Sequence, residues 1–421
     1  MVGKASVRWL SAALVIAVLG ALLMSCTPQP SDDPFFTAPA NKPGGGGPEQ
    51  TPGTSKPGTL IRVRPSLFTQ DPVNLTRVSG VDAYQVLYNS TSALGAPNTV
   101  SGTVLMPKKA WTGPGPRPLV TFGVGTRGLS DTCAPSWMMS TGWDYESAEY
   151  RALLARGWAV AITDMVGLAT PGTHTYEVGR EQGTAVLDIA RAAQQIPELG
   201  LAKDGPIGIM GYSQGGTSAG WAAELAATYA PDLNIKGTVA SGIPADLIAV
   251  AKALDGSPFV GLALLAAVGY DAAYPELDLR SYLNDRGIRM LDRATNMCIV
   301  TVDGIRQLVD VSNRRFSSFM KDKTRNPLED PKWVARMNEN RLGSVAPSAP
   351  VMQAHGLFDQ MVAYPQGAEL RQEWCARGAN VTWQTLVFAE HVLGMVQSFE
   401  PSVNFLAARF ADKPVKGNCP A

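Results

Sequence analysis

The sequence predicts an α/β fold: a mainly parallel sheet flanked by helices and interrupted once by an inserted helical cap. Three observations carry that expectation. From Thr59 onward, short apolar runs alternate with helix-like segments. One of those runs ends in Gly211-Tyr212-Ser213-Gln214-Gly215 and gives way to an alanine-rich helix. Residues 242–348 then break the alternation with helical and apolar patches but no convincing parallel strand, too long a stretch for a bare loop.

In chain order, residues 1–26 read as a targeting segment. Lys4 and Arg8 precede an apolar run over 9–24 that is short for a membrane span. It ends in Leu23-Met24-Ser25-Cys26, similar to the lipobox whose cysteine becomes the acylated first residue of a mature lipoprotein. Met24 is not the usual residue at its position, so plain secretion is the competing reading. Either reading exports the body. Residues 27–58 hold eight prolines and six glycines among few apolar residues, and read as a disordered tether.

Residues 100–106 make an early strand closed by Pro107. Strands follow over 119–124, 158–163, 207–210, 235–240, 351–355 and 381–386. Helices are expected over 145–155, 179–195 and 214–229, with a last one over 395–410. Residues 59–241 and 349–421 thus make two parts of one core, and 242–348 a mainly helical cap or lid. Within it, Phe259 through Val268 is free of charge, either the lining of an acyl-chain pocket or a buried helix.

Glycines on both sides of Ser213 let the chain turn sharply, so the hydroxyl projects from the carboxyl edge of the sheet. This is the context of the G-x-S-x-G nucleophile elbow of α/β-hydrolases. A serine needs a base, and the base needs an acid to hold its tautomer. The histidines are His174, His355 and His391. In the order serine, acid, histidine, His174 comes too early and His355 leaves mostly cap residues to supply the acid. His391 is the base. Asp359, just past the 351–355 strand, is the acid, ahead of Asp246, which opens the cap. Asp164 precedes the serine and reads as structural. The oxyanion hole takes the N–H of Gln214 and a second from Thr126 or Arg127 in the glycine-flanked loop 125–128.

Apart from Cys26, the cysteines are Cys133, Cys298, Cys375 and Cys419, which suggest two disulfides with three pairings open. Lys plus Arg and Asp plus Glu each number 36 and no basic run occurs, which argues against a nucleic-acid partner. With no H-E-x-x-H, C-x-x-C, P-loop or G-x-G-x-x-G, neither metal nor organic cofactor is expected.

Taken together, the chain resembles the secretory lipase family of α/β-hydrolases, particularly bacterial lipoprotein members, from about Thr59 to the C-terminus. The likeness runs through Val86-Leu87-Tyr88-Asn89-Ser90-Thr91, Gly102-Thr103-Val104-Leu105-Met106-Pro107 and Asp131-Thr132-Cys133-Ala134-Pro135-Ser136. It continues through Asp164 with Gly167-Leu168, the serine elbow, Asp359 and Ala389-Glu390-His391. The resemblance implies a helical cap ahead of the acid-bearing strand, a triad on Ser213, Asp359 and His391, and disulfides Cys133–Cys298 and Cys375–Cys419. Met165-Val166 departs from the Tyr-Glu that relatives often carry. The expected activity is that of a triacylglycerol lipase or carboxylesterase, taking a small-molecule or lipid ester and meeting the membrane only through a lipid anchor or lipid substrate. The same triad serves an acyltransferase or peptidase, and a non-catalytic lipid-binding surface lipoprotein is the alternative of another class.

Overall fold

A computed structural model describes residues 30–37 and 56–420. The stretch 1–26 read as a targeting segment, with the expected acylation point Cys26, and most of the tether lie outside the described residues.

The apolar runs resolve into nine strands among the described residues. They are β1 (Leu60–Ser66), β2 (Val81–Thr91), β3 (Pro97–Pro107), β4 (Leu119–Gly123) and β5 (Ala159–Thr163). Then come β6 (Ile207–Tyr212), β7 (Ile235–Ser241), β8 (Val351–Gly356) and β9 (Val381–Leu386). All belong to one sheet, ordered β1-β2-β3-β5-β4-β6-β7-β8-β9. From β5 to β9 every neighbouring pair is parallel, whereas β1, β2 and β3 join antiparallel to one another and to β5. Strands β4, β5, β6 and β8 are buried at every position, which is why they read as continuous apolar runs. The two strands that sequence reading missed, β1 and β2, include the sheet's edge. β1 reads Leu-Ile-Arg-Val-Arg-Pro-Ser and is half exposed, so no apolar run announces it.

The helices before β7 are α1 (Pro135–Thr141), α2 (Ser147–Ala155), α3 (Gly179–Ala193) and α4 (Gln214–Tyr229). Between β7 and β8 lie α5 (Leu247–Leu254), α6 (Val260–Ala273), α7 (Leu279–Tyr282), α8 (Asp285–Ala294), α9 (Val302–Val311) and α10 (Pro331–Glu339). Four of their starts are sequence-encoded: Asp246, Asn284, Thr301 and Asp330 each accept from backbone N–H groups of the turn they cap. These helices bury a cluster of their own, including Leu264, Leu265, Val268, Tyr274, Leu283 and Trp333. After β8 come α11 (Tyr364–Ala376) and α12 (His391–Phe410).

Two segments depart from the sequence expectation. Helix α12 begins at His391 itself, not at Met395, because Glu390 caps it by accepting from Val392 and Leu393 N–H. Residues 30–37, read as tether, lie against the body. Phe36 is buried with Cys133, Trp137 and Leu168, and the Arg62 guanidinium donates to the carbonyls of Pro34, Phe35 and Thr37. Arg64 pairs with Asp33 at 2.5 Å. Composition marks this stretch as flexible, but two phenylalanines and an aspartate meet the arginines of β1. Disulfides join Cys133 to Cys298 and Cys375 to Cys419.

Candidate active site

Strand β6 delivers Ser213 at the head of α4 with φ +60° and ψ −124°, a left-handed conformation costly for a residue with a Cβ. The neighbours make room. A Cβ on Gly211 would stand 2.1 Å from the Gly215 carbonyl oxygen, and one on Gly215 would stand 2.0 Å from that of Gly123. Glycine is thus required where helix, sheet and loop cross.

Ser213 Oγ lies 2.9 Å from His391 Nε2, and His391 Nδ1 donates to Asp359 Oδ2 at 2.7 Å. The other Asp359 oxygen accepts from the backbone N–H of Met361 and Val362, at 3.0 and 2.7 Å. With the acid so held, the imidazole carries its proton on Nδ1 and turns Nε2 to the serine as an acceptor. The Tyr212 hydroxyl donates to the His391 carbonyl at 2.8 Å, an approach that Gly394 permits. Three residues far apart in sequence form one relay.

Gln214 is the first residue of α4, and N–H groups in a first helical turn have no partner within the helix. The loop after β4 is set by a buried ionic cluster. Glu146 accepts from Gly125 N–H and, with Asp144, holds the fully buried Arg127 guanidinium at 2.5 and 3.1 Å. Burial pushes the Glu146 carboxyl up, while Arg127 pulls against it. Thr126 Oγ1 meets the Tyr176 hydroxyl at 2.7 Å, and the Tyr145 hydroxyl donates to the Thr126 carbonyl. Tyr176 and Ser213 line one cavity. Thr126 thus touches a residue that lines the cavity, whereas the Arg127 side chain is held by the ionic cluster.

The set-aside residues have other partners. His355 Nε2 donates to the Val362 carbonyl at 2.9 Å beneath the acid loop. Asp246 caps α5 and pairs with Arg341. Asp164 accepts from Ser101 and Ser136, and burial raises its carboxyl to about 6. Chain order sets His174 apart from the triad, yet its Nε2 lies 3.0 Å from the Gln214 side-chain nitrogen. Its Nδ1 donates to the Val166 carbonyl, so Nε2 is the acceptor. Burial lowers it to about 4, which keeps the ring neutral.

Beside Ser213 opens a cavity of about 100 Å³, lined chiefly by apolar residues of α5, α6 and the segment to α10. Leu262, Ala263, Leu264, Ala266 and Ala267 of the uncharged run are among them. Glu177 is its one carboxylate. It accepts from Thr217 Oγ1, takes φ +61°, and burial raises it to about 8. Sequence reading missed Tyr176 and Glu177; no motif signals them, since only the folded loop carries them to the cavity.

The family model described as secretory lipase matches residues 135–418. The chain is 31% identical to a "probable inactive lipase" of Mycobacterium tuberculosis, over 92% of this chain and 83% of that protein. It is 27% identical to a secreted triacylglycerol lipase of Malassezia globosa, over 93% of this chain and 83% of that one. Among solved structures, Candida antarctica lipase A in its closed state superposes with TM-score 0.79 at 26% identity, covering 93% of this chain and 89% of that one.

Proposed function

The chain belongs to the secretory lipase family of α/β-hydrolases, and from that premise we propose that it is a serine-dependent carboxylic ester hydrolase acting on lipid esters. The observation that carries the reading is the continuous relay from Ser213 through His391 to Asp359. In this reading Ser213 Oγ attacks the acyl carbonyl while His391 Nε2 takes its proton. The resulting oxyanion is met by the N–H groups of Gln214 and Thr126, the latter favoured over Arg127 by its contact with cavity-lining Tyr176. His391 passes the proton to the departing alcohol, and water repeats the sequence to free the acid. The helices between β7 and β8 act as a cap, their cavity taking the acyl chain.

Family and disulfides both support export. We read Cys26 as the acylation point of an envelope lipoprotein, a reading that metabolic labelling with an alkynyl fatty acid tests: signal must vanish in Cys26→Ser.

The hydrolase reading is tested by fluorophosphonate labelling of the protein and of Ser213→Ala, together with esters of graded acyl length and an amide of the same acyl group. Ester turnover and labelling that both depend on Ser213 are expected. Amide turnover matching ester turnover would mark a peptidase. Absence of serine-dependent labelling would favour a non-catalytic lipid-binding protein; the mycobacterial relative is named a probable inactive lipase.

A further inference from the structure

The cavity beside Ser213 is lined chiefly by apolar side chains, yet two polar ones on its lining have bonding capacity left over. Glu177 is 3% exposed and Tyr270, on α6, 2%. Glu177 Oε2 accepts from Thr217 Oγ1 at 2.9 Å, while no hydrogen bond reaches Oε1 among the described residues. The Tyr270 hydroxyl likewise has no partner. Unbonded buried polar atoms are costly and uncommon, so two of them lining one cavity call for an occupant.

The pair sits close to the nucleophile. Thr217 N–H donates to the Ser213 carbonyl at 3.0 Å, so the residue that holds Glu177 follows Ser213 by one turn of α4, about 5.4 Å along the axis. Helix α6 meets the segment 176–177 at Gly269, where a Cβ would stand 2.4 Å from the Tyr176 backbone nitrogen, and Tyr270 comes next. Burial, then nearby Tyr274 and Glu177, hold the Tyr270 phenol above its ordinary range. Glu177 itself takes φ +61°, a left-handed backbone uncommon outside glycine and maintained at a cost.

Protonation suits a neutral guest. Burial raises the Glu177 carboxyl to about 8, so near neutral pH it carries a proton. Because Oε2 accepts from Thr217, that proton stands on Oε1. A carboxyl O–H and a phenol O–H match a hydroxyl group, which both donates and accepts. A chain of methylenes alone would leave them unbonded, and sites built to bond a hydroxyl discriminate against the analogue that lacks it.

We propose that Glu177 and Tyr270 form a polar subsite that selects esters with a hydroxyl group on the acyl chain, bonded to both side chains while the ester carbonyl lies at Ser213. The proposal rests on the ester-hydrolase reading, and on the cavity taking the acyl chain; it names the substrate class of that same site.

The full chain is assayed with esters of one medium-chain acid and one alcohol, unsubstituted or with a single hydroxyl moved along the acyl chain. Expected is a preference of at least about tenfold in kcat/KM for one hydroxylated isomer, carried by KM. Tyr270→Phe and Glu177→Leu should each cut that ratio at least about threefold, whereas Glu177→Gln, whose carboxamide also donates and accepts, should keep it. No preference at any position, a preference untouched by Tyr270→Phe, or variants that slow both esters alike would each overturn the subsite. So would a hydroxyl preference found only on the alcohol side, read by comparing glycerol and propyl monoesters. Calorimetric binding of the hydroxylated and plain fatty acids to Ser213→Ala makes the same comparison without turnover, and equal binding there would also overturn it. Tighter binding of the hydroxylated acid that depends on Tyr270, in a protein whose Ser213 does not label, would sink the hydrolase reading and leave the subsite standing.

Discussion

His174 lies against the side chain of Gln214, the residue after Ser213, so its effect on the proposed reaction passes through Gln214. Because the ring accepts from the Gln214 side chain and donates to the Val166 carbonyl, it fixes the residue whose N–H heads α4. His174→Ala is expected to lower kcat about tenfold with little change in KM, since the hydrogen bond it steadies matters most as the oxyanion forms. Steady-state kinetics on a soluble ester reads that split. The ring also carries a pH signature. Its folded pKa of about 4 lies below the ordinary 6.5, so the unfolded chain takes the proton first. The stability it contributes is intact above pH 6.5 and is lost as pH falls toward about 4. Glu177 has the opposite sign. With its carboxyl raised from 4.5 to about 8, its contribution is complete below pH 4.5 and disappears as pH rises through about 8. Melting curves across that window should show Glu177→Gln gaining on the parent protein with rising pH and levelling off above it. A pH-independent difference would refute the assignment.

At the scale of one strand, turn and helix, the elbow works because three backbones cross where only glycine fits. Gly215→Ala would drive a methyl group to within 2.0 Å of the Gly123 carbonyl, so α4 must shift away from the loop after β4. The expected cost is about 3 kcal/mol, read as a fall in Tm, with weaker fluorophosphonate labelling of whatever folded protein remains. Helix α12 shows a second economy of this kind. Glu390 caps it and His391 opens it, so one turn both starts the helix and positions the His391 ring toward Ser213 and Asp359.

Across the whole molecule, the helices between β7 and β8 are tied to the sheet side by Cys133–Cys298, which closes 165 residues, whereas Cys375–Cys419 closes 44. Chain entropy assigns about 5 and about 4 kcal/mol to such crosslinks. Replacing the first pair by serine should therefore lower Tm more than replacing the second. It should also impair turnover of long-chain esters more than of short ones, because the cavity is lined largely by the helices that this bond holds. Calorimetry and an acyl-length series on the two double variants would decide it. Equal losses would mean that the larger crosslink does not hold the cavity.

Much of this was legible in residues alone. A parallel strand buried on both faces writes itself as an apolar run, so β4 to β8 could be placed, while the edge strand β9 shows as Val381 and Trp383 alternating with polar residues. The elbow's glycines mark a turn that few other residues allow, and chain order chose His391 among three histidines. What sequence could not reach depends on distance in space. β1 and β2 are partly solvated and carry no such run; the docking of residues 30–37 depends on arginines that stand on a different strand. The braces on the site, His174 under Gln214 and Glu146 under Gly125, join segments whose own periodicity gives no hint of one another. Local composition determines which elements form, because burial and backbone propensity act over a few residues. Which side chains share a hydrogen bond is decided only when long loops close, and that is where the chemistry of this chain is set.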